Sequence, residues 1–218
     1  MKKILTTAIL CAGLVGFTAC DSFLDEDPKS SLTLDTYYKT SADIIGNVNY
    51  LYRDGAPDKM GNMTGAYRGS SLSVMNMVTG YFVNEYEGQE VDCSYARQLT
   101  RQNFTQSCCN YLTNDTWKSC YKSINVANAV IKYVDGVEMD NQAQYKAEAR
   151  FFRALNYFYL VKMFGDVPMV IEPTEDATLV EYPTRTAASE VFNTVIIPDL
   201  QFAVENLPNA TFAGNSHR

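Results

Sequence analysis

The 218-residue chain has 25 acidic and 18 basic side chains, a formal net charge of -7, and one histidine, His217, next to its end. The acidic balance argues against a nucleic-acid partner, which needs a basic surface. A single histidine argues against histidine-ligated zinc and against an imidazole general base, and we predict no cofactor. The length allows one domain, or part of a larger one, with a sizeable core.

The first 19 residues have the pattern of a secretory signal peptide. Lys2 and Lys3 precede an apolar run over 4–17, which is shorter than the about 20 residues that a spanning helix needs. The run ends in Phe17-Thr18-Ala19-Cys20, which resembles a bacterial lipobox, although leucine is usual where Phe17 stands. We therefore predict that residues 1–19 are removed and that lipidated Cys20 anchors the chain to a membrane. Cleavage without lipidation is the alternative.

An acidic and irregular stretch follows Cys20. The acidic side chains that come first are Asp21, Asp25, Glu26 and Asp27. Such a cluster resembles the export signals of surface lipoproteins in Bacteroidetes-type bacteria, and a solvated tether is the alternative. Because the apolar residues that follow have no steady period, we predict a lipidated tether and an extended arm over residues 20–40 that lies across the body.

Residues 41–208 are predicted to form an all-α domain with long loops. Ser41 is a suitable N-cap for a first helix, in which apolar residues recur every three to four positions until Gly55. A glycine-rich loop follows, and a second helix is predicted near 70–79.

The stretch from 80 to about 110 has no helical periodicity and is rich in polar residues. Long loops of this kind are usually functional or disordered. Aromatic rings among amides and carboxylates suit sugar binding, because sugar rings stack on aromatic planes while hydroxyls bond the polar groups. The candidate ligand-binding residues are Tyr81, Phe82, Tyr86 and Tyr95. The alternative is that these rings only pin the loop to the core.

A third helix is predicted over 116–134, with Asn114 or Asp115 as its cap and Gly136 after its end. Its apolar face includes Trp117. We expect this side chain to pack in the core, and a role as a sugar platform is the alternative.

The most apolar stretch of the chain, 145–168, is predicted to be a long buried helix that ends at Gly165 and Pro168. It has almost no polar face, so other elements must cover it on most sides. With the preceding helix it forms a hairpin close in length to a tetratricopeptide unit. We therefore predict irregular tetratricopeptide-like helical hairpins.

Three charged residues interrupt this apolar stretch: Glu148, Arg150 and Arg153. Buried charges are tolerated when they are paired or hydrogen-bonded, so we expect an internal network that ties the helix to its neighbours. The cysteines fit no metal-binding spacing, and without a nearby histidine we predict no catalytic cysteine. Cys120 is expected to be a free buried thiol.

A polar connector over 172–183 leads to the last predicted helix, which opens at Thr186 and ends at Pro208. Pro198 lies inside it, so we expect a kink or a break there. Residues 209–218 are predicted to be an unstructured tail.

Taken together, several segments resemble the SusD/RagB family of surface nutrient-binding lipoproteins. They are 23–28, 37–52, 117–128, 147–168 and 199–208, in the order that the family has them. The segment 147–168, with its Ala-Glu-Ala-Arg-Phe-Phe-Arg-Ala-Leu-Asn-Tyr-Phe run and its Phe-Gly-Asp-Val-Pro ending, is the most specific. Family members are usually more than twice as long, so the resemblance covers the N-terminal part of the family.

The resemblance implies a non-enzymatic lipoprotein of the outer membrane, exposed at the cell surface. It also implies binding of glycans, or of peptides in some members, and delivery to a SusC-like TonB-dependent transporter. One alternative is a helical-repeat interaction scaffold that binds no ligand itself, or an inactive truncated fragment. A glycoside hydrolase is a further alternative, although no pair of carboxylates stands in a motif that nominates it.

Overall fold

Helices form most of the regular structure, which confirms the predicted all-α class. The computed structural model describes residues 33–53, 78–81, 83, 97–175 and 183–209, without the side chains of 107–113 and 115. The signal segment, Cys20, most of the second predicted helix and the tail beyond 209 lie outside the described residues.

The described helices and strands follow one another in this order: α1 (Leu34–Tyr37), α2 (Ser41–Arg53), α3 (Gln106–Tyr133), a 3-10 turn (Val134–Gly136), α4 (Gln142–Phe164), β1 (Val167–Pro168), β2 (Arg185–Thr186), α5 (Ala188–Val191), a π-helical turn (Phe192–Ile196) and α6 (Ile197–Asn206). The two strands pair antiparallel, Val167 with Thr186 and Pro168 with Arg185. Within the described residues, no helix combines the length and the hydropathy that crossing a membrane requires.

The structure describes residues 33–40 of the predicted arm, and these contain helix α1, although an extended chain was expected. The backbone N–H of Tyr38 donates to the Leu34 oxygen at 3.1 Å, and this turn directs the Tyr38 ring into the core. There the ring stacks on Tyr133, with centroids 5.1 Å apart. The Tyr133 hydroxyl donates to Asp35 Oδ1 at 2.7 Å. These contacts make a local turn more favourable than an extended chain.

Helix α2 has the predicted buried face, but its cap is Thr40, so the prediction of Ser41 as the cap is wrong. The Thr40 oxygen accepts from the backbone N–H groups of Asp43 and Ile44 at 3.1 and 3.4 Å. Asp43 Oδ2 in turn accepts from the Thr40 N–H at 2.8 Å, as the acidic third residue of a capping box does. Ser41 is already helical, and so cannot be the cap.

Helix α3 begins at Gln106, ten residues before the predicted start, so the predicted loop is shorter. Neither glycine nor proline occurs between Gln106 and Tyr133, so nothing in the backbone stops the helix from extending backwards. Asn114 was predicted as a cap because such side chains favour helix ends, but it lies mid-helix and is exposed to solvent. The predicted end at Gly136 is confirmed by the 3-10 turn.

Helix α4 is the long central helix that the sequence predicts, and it packs against α3, α6 and α2. It ends at Gly165, which has the positive φ of 68° that suits glycine, and whose N–H donates to the Val161 oxygen. Most of its circumference is buried, as expected. The exception is a narrow stripe on which Phe151 and Phe158, seven residues apart, stay exposed.

Two hydrophobic clusters lie along α4, one at each half. The first joins Ile44, Val48 and Leu51 of α2 to the end of α3 and to Phe152. The second joins Cys120 and Ile124 of α3 to the last turns of α4 and to the valines of the C-terminal helices. Because both clusters use α4, that helix links the α2 side of the molecule to the α6 side.

The C-terminal helical region begins at α5, two residues after the predicted opening at Thr186, which lies in β2 instead. Asp166 Oδ1 accepts from the Ala188 N–H at 2.9 Å and so caps this start. Pro198 does not break the helix. The π-helical turn just before it widens the backbone, so that the Ile197 N–H reaches the Phe192 oxygen. A proline ring clashes with the carbonyl four residues earlier in a regular helix, and the wider turn relieves that clash.

Candidate functional site

Tyr81 is the one predicted ligand-binding residue that the structure describes. It follows a turn over 78–80, in which Gly80 has a φ of 79°. Its N–H lies 3.4 Å from Thr79 Oγ1, a contact that holds the backbone of the turn. The Tyr81 side chain is 89% exposed, so it does not pin this part of the loop to the described core. An aromatic plane held open to solvent is a surface on which a sugar ring can stack.

The other predicted residues, Phe82, Tyr86 and Tyr95, lie outside the described residues. Sequence reasoning missed one further exposed ring, Phe104, which lies just before α3 and is more than half exposed. The signal was available, because Phe104 belongs to the same polar stretch as the other four aromatic residues.

A buried ionic network lies between α3, α4 and α6, and it confirms the expected role of Arg153. The guanidinium of Arg153 donates from Nε to Asp199 Oδ2 at 2.7 Å and from Nη2 to Asp199 Oδ1 at 2.9 Å. Its Nη1 donates to Asn128 Oδ1 at 2.9 Å. A two-point arginine–carboxylate pair of this kind fixes geometry as well as charge. Neither Asp199 nor Asn128 was identified from the sequence.

The other two predicted charges differ in their surroundings. Arg150 Nε lies 3.8 Å from Asp199 Oδ1, and its guanidinium lies over the Phe202 ring, 4.2 Å from the centroid. This arrangement ties α4 to α6 by a cation–π contact as well as by charge. Glu148 is buried and accepts from Gln144 Nε2 at 3.0 Å, within the same helix.

The segment after β1 is held against α3 and α4 through its backbone. The Tyr157 hydroxyl donates to the Val170 oxygen at 2.8 Å and accepts from the Val170 N–H at 2.7 Å. Asn128 Nδ2 donates to the oxygens of Val170 and Glu172 at 3.0 and 3.2 Å. Burial raises the pKa of Tyr157 to about 12, so this hydroxyl stays protonated and able to donate.

Trp117 packs in the core, as expected. Its ring lies 5.0 Å from Tyr121 and 5.1 Å from Phe164, and it borders the second hydrophobic cluster. Cys120 is confirmed as a free and fully buried thiol, and burial raises its pKa to about 12. A thiol with so high a pKa is not a nucleophile at neutral pH.

The described geometry therefore has two parts: a frame of helices joined by the buried ionic network, and the exposed Tyr81 side chain. The buried carboxylate of Asp199 is committed to two arginines, which suits an ion pair that holds helices together. Tyr81 lies outside this frame, on a surface turn. The chemistry that such a surface supports is stacking and hydrogen bonding of a ligand.

Comparison with known proteins identifies the family to which this arrangement of helices belongs. The family model of SusD-like proteins, described as starch-binding and associating with the outer membrane, matches residues 22–216. A SusD-like protein of Formosa agariphila is 29% identical over 216 residues, which are 98% of this chain and 40% of the relative. A SusD-like protein of Bacteroides ovatus is 27% identical over 98% of this chain and 36% of the relative.

Solved structures share the fold. A SusD superfamily protein of Parabacteroides distasonis has a TM-score of 0.56 and 24% identity, over 75% of this chain and 33% of that one. A SusD-like carbohydrate-binding protein of Bacteroides fragilis has a TM-score of 0.59 and 20% identity, over 84% and 34%. A laminarin-binding SusD-like protein has a TM-score of 0.58 and 23% identity, over 78% and 35%. At these identities the likeness concerns the fold alone.

The chain thus spans about two fifths of the length of the curated relatives it matches. The match of the family model extends over nearly all of residues 20–218, from the acidic stretch to the tail. The chain belongs to the SusD-like family, of which it corresponds to the N-terminal part.

Proposed function

We propose that this chain captures glycans as part of a non-enzymatic surface lipoprotein of the outer membrane. The observation that carries the proposal is the family match over residues 22–216, with its starch-binding description. Two structural neighbours support the ligand class: one is a laminarin-binding SusD-like protein, and another is a crystal structure with a xylogluco-oligosaccharide. Glycans are thus the ligand class that the relatives favour for this chain.

The proposed glycan surface is the aromatic loop, with Tyr81, Phe82, Tyr86 and Tyr95 as candidate contacts. The exposure of Tyr81 supports it, because a ring that packs against nothing in the described core is free to stack on a ligand. Phe104, just before α3, is a second exposed aromatic ring of the same polar stretch. Lipidation of Cys20 anchors the chain in this proposal, and the bound glycan passes to a SusC-like TonB-dependent transporter.

Titration with laminarin and xyloglucan oligosaccharides, followed by calorimetry, tests the loop. We expect Tyr81→Ala to weaken binding about tenfold, which corresponds to ~1.4 kcal/mol. The combined variant Tyr81→Ala, Tyr86→Ala, Tyr95→Ala is expected to abolish measurable binding. Tyr37→Ala, which removes a partly exposed tyrosine of α1, is the matched control and should bind like the unaltered chain. Unchanged affinity in the combined variant would remove the loop as the site.

Cell fractionation and co-purification test the remaining parts of the proposal. Cys20→Ala is expected to move the protein from the membrane fraction to the soluble fraction, because the lipid anchor is lost. The unaltered protein is expected to co-purify with a TonB-dependent barrel. Co-purification without any glycan affinity would instead favour the interaction scaffold.

A further inference from the structure

Residues 101–105 connect a helical segment, 97–100, to the start of α3. Four successive side chains of this connection are exposed: Arg101, Gln102, Asn103 and Phe104. The Phe104 ring is 57% exposed. Leu99, just before them, is buried, so the helical segment is anchored in the body of the protein. We call residues 101–104 the exposed turn.

Hydrogen bonds within the segment fix the backbone of the exposed turn. The Gln102 N–H donates to the Leu99 oxygen at 2.9 Å. The Asn103 N–H donates to the Gln98 oxygen at 2.8 Å. With a φ of 53° at Gln102, these two bonds form a Schellman motif, which ends the helical segment. Thr105 Oγ1 also donates to Gln98 Oε1 at 2.8 Å, so the far side of the turn is tied back to the same segment.

Gln102 is an unusual residue at its position in the exposed turn. Glycine is common there, because a left-handed backbone strains a residue that has a Cβ atom. Strained positions of this kind cluster where proteins hold ligands. Glutamine adds an exposed side-chain amide next to that of Asn103. Within the part of the chain that the structure describes, neither amide has a hydrogen-bond partner, so both are available to the hydroxyl groups of a ligand.

Arg101 gives the exposed turn a positive charge. It takes part in none of the ion pairs between described residues, whereas Arg150 and Arg153 both contact Asp199. A cation at the end of a helix is favourable in itself, and lysine would serve there equally well. A guanidinium has in addition a planar fork that binds a carboxylate or a similar oxyanion at two points. Because the chain has a formal net charge of -7, an acidic ligand needs such a local cation to approach it.

The spacing of Arg101 and Phe104 suits a glycan that carries acidic groups. The two residues lie three positions apart, so their Cα atoms are at most about 11 Å from each other. That distance is comparable to the length of a disaccharide. We propose that the exposed turn is a binding subsite for an acidic glycan, in which Phe104 stacks on a sugar ring and Arg101 binds a carboxylate or a sulfate ester. The amides of Gln102 and Asn103 bind sugar hydroxyls. This inference rests on the proposed glycan capture and adds that the captured glycan is negatively charged.

Calorimetric titration with two matched pairs of probes tests the preference for charge. One pair is laminarin oligosaccharides with and without sulfate esters, and the other is galacturonate oligosaccharides with free and with methyl-esterified carboxyl groups. We expect the acidic member of one pair to bind about tenfold more tightly than its neutral partner, and that pair identifies the acidic group. Equal or tighter binding of the neutral members, or binding of xyloglucan oligosaccharides but of neither acidic probe, would overturn this inference and leave glycan capture standing. Absence of binding to all of these probes would remove both.

Variants assign the preference to the exposed turn. Arg101→Gln is expected to weaken binding of the acidic member about tenfold and to leave that of its neutral partner within twofold, whereas Arg101→Lys keeps the charge without the fork and should lose part of the preference. Phe104→Ala should weaken binding of both members about tenfold. Lys118→Gln makes the same change in charge at an exposed position of α3 and is the matched control.

The ratio of the two affinities distinguishes a local site from general charge attraction. The tenfold preference should persist in Lys118→Gln and disappear in Arg101→Gln. A preference that survives Arg101→Gln, or that falls equally in both variants, would overturn the assignment. Because both side chains are exposed, the far-ultraviolet circular dichroism of the variants should match that of the unaltered chain.

Discussion

At the scale of residues, the carboxylate of Asp199 shows how this fold accommodates a buried charge. It is 2% exposed, and removing such a group from water carries a large desolvation cost. Arg153 offsets that cost with two short hydrogen bonds, and Arg150 adds a longer contact. The arginines could be predicted as network members because they interrupt an apolar helix. Asp199 could not, since it is 46 positions away from Arg153 and only the fold brings them together.

Replacing Arg153 tests whether the network holds α4 to α6. Arg153→Met leaves the buried carboxylate with only the 3.8 Å contact to Arg150. Because breaking one side of a buried pair leaves an uncompensated charge, we expect a loss of about 3–5 kcal/mol in the free energy of unfolding. Urea denaturation followed by circular dichroism measures it.

Two further variants distinguish the loss of the Arg153–Asp199 ion pair from the effect of leaving one of its charges unpaired. The double variant Arg153→Met, Asp199→Leu removes both charges and is expected to lose less stability than the sum of the single variants. Lys132→Met breaks the exposed pair with Glu175 and should have only a small effect. An Arg153→Met chain as stable as Lys132→Met would contradict the assigned role.

The cap of α2 introduces a pH dependence. The Thr40 hydroxyl and the Thr40 N–H donate to Asp43, and these bonds hold the pKa of the Asp43 carboxyl below its ordinary value of 3.8. A group whose pKa is lowered by folding stabilises the fold above its ordinary pKa. That contribution is lost as the pH falls through the lowered value.

We therefore expect Asp43→Asn to lower the Tm at neutral pH, and the difference from the unaltered chain to shrink as the pH falls below 3.8 towards the lowered pKa. Thermal unfolding between pH 7 and pH 2.5 gives both curves. Glu138→Gln removes an exposed carboxylate that caps no helix and serves as the charge-matched control. If the Tm of both variants changes with pH in the same way, the Asp43 cap does not contribute to the pH dependence of stability.

At the scale of elements, the segment after β1 depends on side chains of α3 and α4 for its backbone hydrogen bonds. Tyr157 is fully buried and satisfies both the N–H and the oxygen of Val170. Tyr121 donates only to the Pro168 oxygen, at 2.7 Å. The two tyrosines therefore form a matched pair that differs in the number of backbone groups each one satisfies.

Tyr157→Phe leaves the Val170 N–H without its partner, while the Val170 oxygen keeps only the bond from Asn128, and we expect a loss of about 1–3 kcal/mol in the free energy of unfolding. Tyr121→Phe, the matched control, removes one hydrogen bond and should cost about 1 kcal/mol. Amide hydrogen exchange gives a local measurement, in which the Val170 amide should exchange faster in Tyr157→Phe only. Slow exchange of that amide in Tyr157→Phe would show that the hydroxyl is dispensable.

How much of each element could be predicted depended on local signals. The ends of α4 at Gly165 and of α3 near Gly136 were predicted from their glycines. Gly165 has the positive φ that glycine adopts readily, and Gly136 ends the 3-10 turn that follows α3. The predicted start of α3 was wrong, because Asn and Asp favour helix caps but also occur inside helices. The π-helical turn before Pro198 could not be predicted, since the sequence signals a disruption there and packing decides its form.

For the candidate site, the sequence could predict which residue types it contains but not which side chains face solvent. An aromatic and polar loop can be recognised from residue types, and Tyr81 is exposed as a stacking surface requires. Which rings face solvent depends on packing across distant elements. Trp117 lies between Thr116 and Lys118 in sequence, and Tyr81 between Gly80 and Phe82, but it is Trp117 that borders the core and Tyr81 that lies outside it.

At the scale of the whole molecule, α4 joins two hydrophobic clusters, to both of which α3 also contributes. One cluster otherwise involves α2, and the other involves the C-terminal helices. Ile44 belongs to the first cluster and is fully buried. Trp117, the single tryptophan of the chain, borders the second cluster, so its fluorescence reports unfolding there. A molecule in which α4 couples the clusters should unfold as one cooperative unit.

We therefore expect Ile44→Ala to lower the free energy of unfolding by about 2–5 kcal/mol, since it leaves a cavity in the first cluster. The Trp117 transition, which reports the second cluster, should shift by the same amount as the circular dichroism. Ile171→Ala removes the same side chain from a position that is 45% exposed and should change stability by only about 0.5 kcal/mol. If Ile44→Ala shifts circular dichroism but leaves the Trp117 transition in place, the clusters unfold separately and α4 does not couple them.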